Sequence, residues 1–350
     1  MTALILWMKR RMAADRCVEK RSFDQRDAAL DMAKAFLIII MIVGHFSIGK
    51  GLRDIIFSFH MPAFVFYSGY CFRSDKKRNV CAVIGKQIKS FLIPYALFGV
   101  AYIFLTHAGL KTEVKRVVFG ISYAQKLFAD VSSIGPVYFI LLLFVTKVTY
   151  ILIDRFIPDE RNRAAAVFVL SLIGVYLGKY GYWLPWSIDC ALYCLAFYYA
   201  GYCFKKYGIM EYLLARNYSY FLLSTLWAYM IYKGSMEIAI REYGVYSVAL
   251  LGAVSACVLL YMLCRYLHSI LSPWLTKAIS MIGQHTMFIL IVHKLFSSSI
   301  KRFVGISFVK GHIYHTGVVV ALQVIAGVVI GVIYALIQKR MAKVFARKAA

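Results

Sequence analysis

An all-α bundle of membrane-spanning helices is the fold class this sequence predicts, on three observations. Of its 350 residues, 61% are hydrophobic and 16% charged, with a mean hydropathy of +0.69, whereas a soluble globular chain carries about 25% charged residues. Ten apolar stretches reach or approach the roughly 20 residues that cross a bilayer, near 29–47, 54–72, 90–106, 135–153, 164–178, 186–204, 218–232, 245–264, 279–296 and 316–337. Those runs are unbroken rather than alternating, so helices, and not a β-barrel, must satisfy their backbones.

The net charge of +25 is distributed unevenly over that pattern. With ten spans, one side carries about twice as many Lys and Arg as the other, in Lys9 to Arg26, Arg73 to Lys89 and Lys339 to Lys348. The positive-inside rule makes that side cytoplasmic and places both termini there. Basic residues here orient the chain and meet anionic lipid or a phosphorylated co-substrate; nucleic acid is not an expected partner. The division that follows is a basic cytoplasmic segment over 1–26, a transmembrane domain over 27–338 and a basic cytoplasmic tail over 339–350. The opening Thr2 to Met8 precedes its basic cluster and is too short for a signal-peptide core, so no cleaved signal is expected.

In chain order, Asp24 or Asp27 caps the first span. Within that span, Asp31, Lys34 and His45 interrupt a hydrophobic run. Lys34 and His45 are eleven residues apart, close to three helical turns, so they share a face about 16 Å apart along the axis. Asp31 lies on nearly the same meridian. Ionisable groups at membrane depth are functional candidates. The second span carries His60, at a depth comparable with His45 and positioned to face it. It also contains Pro62, and Ser68-Gly69, small enough for close helix approach. Arg73 to Lys89 is the most basic connection, and Pro94 opens the third span, where its missing donor costs least.

Residues 107–134 read as a long outer loop able to cover a site. A Gly135-Pro136 break starts the fourth span, in which Lys147 reaches toward the cytoplasmic end or a donor. The fifth span is featureless. Asp189 sits one turn inside the sixth as a helix N-terminal charge partner or the lining of an outer cavity. Cys190 and Cys194 share a face there and read as apolar packing, and the eight cysteines show no metal spacing. Spans seven and eight carry packing signals only. Span nine has Gln284 and His285 near its start and His293 near its outer end, and span ten is a plain apolar helix.

His45, His60, Asp189 and His293 thus lie toward the outer half, and Lys34, Lys147 and the basic connections toward the cytoplasm. Histidine is the usual general base for activating a hydroxyl, and Lys or Arg would meet a phosphorylated acyl carrier. The phosphate-loop, nucleophile-elbow and zinc-helix motifs are missing from the sequence, and no metal is expected. A transporter's polar path and histidines that merely bond between helices remain open on residues alone.

Six motifs in order carry a resemblance: Asp31-x2-Lys34-x10-His45; Phe59-His60-Met61-Pro62 to Ser68-Gly69; Leu92-Ile93-Pro94-Tyr95; Gly135-Pro136-Val137-Tyr138-Phe139; Trp186 to Asp189 and on to Gly201; and Ile282-Gly283 to His293. Over roughly residues 24 to 337 the chain resembles the bacterial integral-membrane acyltransferase family three, and more narrowly its fucose 4-O-acetylase-like branch. The resemblance implies a ten-helix enzyme of the bacterial inner membrane. Such an enzyme takes an acyl group, usually acetyl, from cytoplasmic acetyl-CoA and places it on a sugar hydroxyl of a cell-surface or lipid-linked glycan. The family's Arg-x10-His pattern maps onto Lys34 and His45, making His45 the catalytic base or acyl acceptor and Lys34 a donor-side cation. Lysine keeps the charge of the usual arginine and loses its bidentate geometry. Tyr138-Phe139 stands where Trp-Phe is usual.

The expected catalytic residues are therefore His45, supported by His60 and Asp31; the expected donor-binding residues are Lys34 and Lys147; and the expected acceptor-binding residues are Asp189 and His293. The alternative function is a polysaccharide transporter or export partner without acyl chemistry.

Overall fold

The computed structural model describes residues 27–46, 48–106, 109–123, 131–234, 236–296 and 313–349. The N-terminal basic segment 1–26 lies outside them, as do Lys126 and Asp130 of the outer loop. Among the described residues the protein is all helical, and its one β feature is an isolated bridge between Glu237 and Glu242.

The helices are α1 (Ala28–Gly44), α2 (Lys50–Tyr70), α3 (Val80–Thr106), α4 (Leu110–Phe119), α5 (Tyr138–Phe156), α6 (Glu160–Lys179), α7 (Ile188–Lys206), α8 (Ile209–Leu214), α9 (Tyr218–Lys233), α10 (Tyr246–Ile270), α11 (Pro273–Gln284), α12 (Thr286–Leu295) and α13 (Ile313–Ala349). Five of them are long and apolar enough to cross a membrane: α3, α5 with its 3₁₀ entry, α6, α10 and α13. The pair α11 and α12, bent by 63°, makes a sixth span when taken together. The sequence reading expects ten. The difference lies in α1 and α9, which run only 17 and 16 residues, and in α2 and α7, whose apolar content is diluted by charged and tyrosine residues.

Asp27 caps α1 as expected, its carboxylate accepting from the Leu30 amide at 3.2 Å. At the crossing of α2 and α7, a Cβ on Gly69 would stand 1.9 Å from the Tyr198 carbonyl oxygen, and one on Gly201 1.9 Å from that of Phe66. Only glycine admits so close a crossing, which is how α2 reaches the centre of the bundle. Gly135, at φ +72°, and Pro136 begin α5 through a 3₁₀ turn, also as expected.

Three expectations are corrected. Pro94 does not open the third span, because α3 starts at Val80 and carries a π-helical turn over Ile88–Leu92. Proline lacks the amide donor and crowds the carbonyl four residues back; the widened turn ahead of it relieves both. The stretch 107–134 is not all loop, since α4 lies within it, held by the Tyr95 hydroxyl donating to the Val117 carbonyl at 2.7 Å. The ninth span is not one straight helix, because it breaks at His285, where Gly283, Gln284 and Thr286 interrupt the apolar run.

Candidate active site

A cavity of about 520 Å³ opens among α1, α2, α5, α12, the π turn of α3 and two connections. Helical spacing builds its walls. Ile38, Met41 and His45 recur at three and four residues on α1; Arg53, Phe57, His60 with Met61, and Phe64 do so on α2. From the start of α5 come Gly135, Tyr138 with Phe139, and Leu143. The three ladders run in step, so the ends of the cavity differ in chemistry. Arg53, Glu237, Ser122, Tyr123 and Ser133 surround one end, and Phe64, Phe91, Phe139 and Leu143 line the other. The Phe64 and Phe139 rings meet there at 5.8 Å.

His45 caps the C-terminus of α1 and is open to the cavity. Its ring stacks on that of His293, with centroids 5.3 Å apart and planes at 28°, and meets the Phe57 ring edge-on at 5.8 Å. No hydrogen bond from a described residue reaches the His45 ring. Ring packing therefore orients it and leaves its nitrogens to whatever enters the cavity. His60 also lines the cavity, and the Phe57 ring stands edge-on to both histidines, 4.9 Å from His60. The His60 Nδ1 lies 2.9 Å from the Ile56 carbonyl oxygen, so Nδ1–H donates to its own helix and Nε2 is left as the acceptor. His293 is 5% exposed, and its Nδ1 is 2.9 Å from the Gln323 Oε1 on α13.

At the polar end, the Arg53 Nη2 donates to both carboxylate oxygens of Glu237, at 3.2 and 3.1 Å, while the guanidinium lies 4.5 Å from the centre of the Phe57 ring. Burial of Glu237, in the connection between α9 and α10, holds its carboxyl above the usual carboxylate range against the pull of Arg53.

Asp189 is placed as a structural partner and not as a cavity wall. It is fully buried in the first turn of α7 and accepts from the Leu184 amide at 3.0 Å. It also takes two bonds from Arg241, 2.8 Å from Nε and 3.3 Å from Nη2. Arg241 in turn donates to the Ser122 hydroxyl and, at 2.9 Å, to the Ala239 carbonyl. Ser122 and Ala239 line the cavity, so Asp189 holds the polar rim from one layer behind. Cys190 and Cys194 are buried beside it, in agreement with the packing reading.

Asp31 and Lys34 sit on the same face of α1 as His45, about three to four turns away, and do not reach it. The Lys34 Nζ is 3.5 Å from Asp31, whose other carboxylate oxygen accepts from Gln284 at 3.3 Å. Asp31 is 3% exposed and ties α1 to the break after α11. The Lys147 ammonium lies 5.6 Å over Phe91, just behind the apolar end of the cavity. Farther along that side, Arg73, Lys76, Arg78 and Arg155 surround a small cleft with Asp75 and Asp154.

The cavity thus joins His45 and His60, keeps His293 as a backing ring, and leaves Asp31, Lys34, Lys147 and Asp189 outside its walls. Sequence reasoning missed Arg53, Glu237, Arg241, Ser122 and Gln323. The run Glu237-Ile-Ala-Ile-Arg241-Glu242 offered a signal, a charge cluster in a connection between two plain spans. Among the described residues, no group of three or more His, Cys, Asp and Glu is arranged to hold a metal ion.

A cavity with an open histidine, a polar rim and an apolar arm suits transfer of a group between two bound substrates. No curated protein matches the chain. The model of the acyltransferase domain, family three, matches residues 27–337, nearly the whole length and a span that contains all six motifs. The chain is an integral-membrane acyltransferase and belongs to acyltransferase family three.

Proposed function

We propose that the protein transfers an acyl group, acetyl or a close relative, from acyl-CoA to a sugar hydroxyl of a cell-surface or lipid-linked glycan, with His45 as general base. The fucose 4-O-acetylase-like branch, ten spans, cytoplasmic termini and the bacterial inner membrane belong to the same proposal. The observation that carries it is the placement of His45, open to the cavity between the Arg53–Glu237 rim and the apolar arm, with no described hydrogen-bond partner on its ring.

The acceptor sugar binds at the rim, where Arg53 donates and Glu237 and the Ser122, Ser133 and Tyr123 hydroxyls exchange hydrogen bonds with its hydroxyls. The donor approaches from the side of Phe91 and Lys147, and the cluster of Arg73, Lys76, Arg78 and Arg155 meets its phosphates. Lys34 completes the cationic side of α1. His45 removes the proton of the acceptor hydroxyl, whose oxygen attacks the thioester carbonyl. The tetrahedral intermediate then breaks its C–S bond, and the departing thiolate takes the proton back from His45. His60 presents its Nε2 to the same space. Asp31, paired with Lys34 and Gln284, sets the register of α1.

The test uses purified full-length protein with acetyl-CoA, following free thiol, and glycan mass spectrometry of cells that lack the gene. Expected are thiol release by the wild type that is lost in His45→Ala, and loss of an ester mass from the glycan. Wild-type protein that never releases thiol from any acyl-CoA would refute the proposal.

A further inference from the structure

We infer that His293 is a positioning residue that holds the His45 ring, and is itself held by Gln323, rather than a ligand of the substrate. This rests on the acyl-transfer reading of the cavity.

A general base in an enzyme is ordinarily steered by a hydrogen bond to its second nitrogen. His45 has no such bond from a described residue, so its orientation comes from ring contacts: the stacked His293 on one side and the Phe57 edge on another. His293 is suited to be the fixed member of that pair. It is 5% exposed, lies on the last full turn of α12, and its Nδ1 is 2.9 Å from the side-chain oxygen of Gln323, which is 2% exposed on the neighbouring α13. Because the amide oxygen only accepts, Nδ1 of His293 must carry the proton. The bond places a proton on Nδ1 and fixes the ring plane presented to His45. A neutral stacked ring tolerates the imidazolium that His45 becomes during the reaction, where a charged one would oppose it.

The geometry also separates this role from two others. Planes at 28° with centroids at 5.3 Å are the geometry of packed rings, the contact of a positioning group and not of a proton relay. Meanwhile the cavity is walled by Thr286, Met287 and Leu290 of α12 and not by His293, which keeps His293 from the substrate.

The experiment compares His293→Ala with the double variant His293→Phe/Gln323→Leu, which keeps a ring against His45 and removes both members of the His293–Gln323 bond together. The readouts are kcat and KM for acetyl-CoA in thiol release, and the His45 ring-proton shifts in histidine-labelled full-length protein, assigned by comparison with His45→Gln. The expected result is a fall in kcat of about a hundredfold for His293→Ala, of no more than about tenfold for the double variant, and an unchanged KM in both. The His45 ring-proton shift should move in His293→Ala, where the ring current is lost, and stay near its wild-type position in the double variant. A double variant as impaired as His293→Ala, a raised KM with kcat intact, or a His45 shift indifferent to His293→Ala would overturn the inference. Wild-type protein without thiol release fails the acyl-transfer reading instead, and the shift measurement still decides the placement of His293.

Discussion

Gly283 lies so close to Asp31 that a Cβ built on the glycine would stand 1.8 Å from the Asp31 carbonyl oxygen. This contact locks the end of α11 against the first turns of α1, next to the bond from Gln284 to the Asp31 carboxylate. The break between α11 and α12 is fixed there, and α12 then runs along the cavity to His293.

Gly283→Ala should therefore lower thermal stability by the equivalent of about 1 to 3 kcal/mol or more, since backbone has to move. It should also lower thiol release from acetyl-CoA beyond the stability loss, because α12 shifts with the break. Melting curves and kcat on the same preparation check both. An alanine variant with wild-type melting would show that the two helices are farther apart than described.

His45→Ala should cost about 10² to 10⁴ in kcat, the range of a lost general base, and leave the melting temperature near wild type because the side chain faces the cavity. His60→Ala should cost less, as His60 is tied to Ile56 of its own helix. Steady-state thiol release measures the order of the two effects.

Arg53→Ala should raise the KM of the acceptor glycan about tenfold, the worth of a lost hydrogen bond, with little change in kcat or in KM for the donor. The residue is half-exposed at the rim and the reacting groups lie beyond Phe57. An effect confined to the donor KM would assign the rim to the wrong substrate.

Asp189→Ala leaves the buried Arg241 guanidinium without its carboxylate, a change that costs about 3 to 5 kcal/mol. Asp189→Ala with Arg241→Met removes both charges and should recover much of that loss. Ser122 would still lack its donor, so the acceptor KM should stay raised. Melting temperature separates the first effect from the second.

Glu237 supplies a pH dependence with a definite sign. Its carboxyl is held above the ordinary range by burial, so the folded state binds this proton more tightly than the unfolded state does. The stability it contributes is present at acid pH and is lost as pH rises through the raised value. Glu237→Gln does not titrate. Its melting temperature should fall slightly below or match wild type at acid pH and gain on it by a few degrees at most as pH rises above the carboxylate range. A variant that instead loses ground to the wild type as pH rises would mean that Arg53 outweighs burial.

Composition and patterning determined much of this protein. Unbroken apolar runs leave helix as the only backbone solution in a membrane, and the cap at Asp27, the Gly135-Pro136 start and the small residues Ser68-Gly69 obey local rules readable one stretch at a time. The face shared by Lys34, Ile38, Met41 and His45 follows from helical period alone. Tertiary structure decided what that face meets. His45 and His60, read as facing partners, line one cavity with the Phe57 ring edge-on to each, while His293, 248 positions later in the chain than His45, supplies the stacked ring. Asp189 turned inward because Arg241, in a connection without periodicity, came to it. Pairings of that kind depend on how glycines let helices approach and where a helix breaks, and those are properties of two segments at once, which no single stretch of sequence contains.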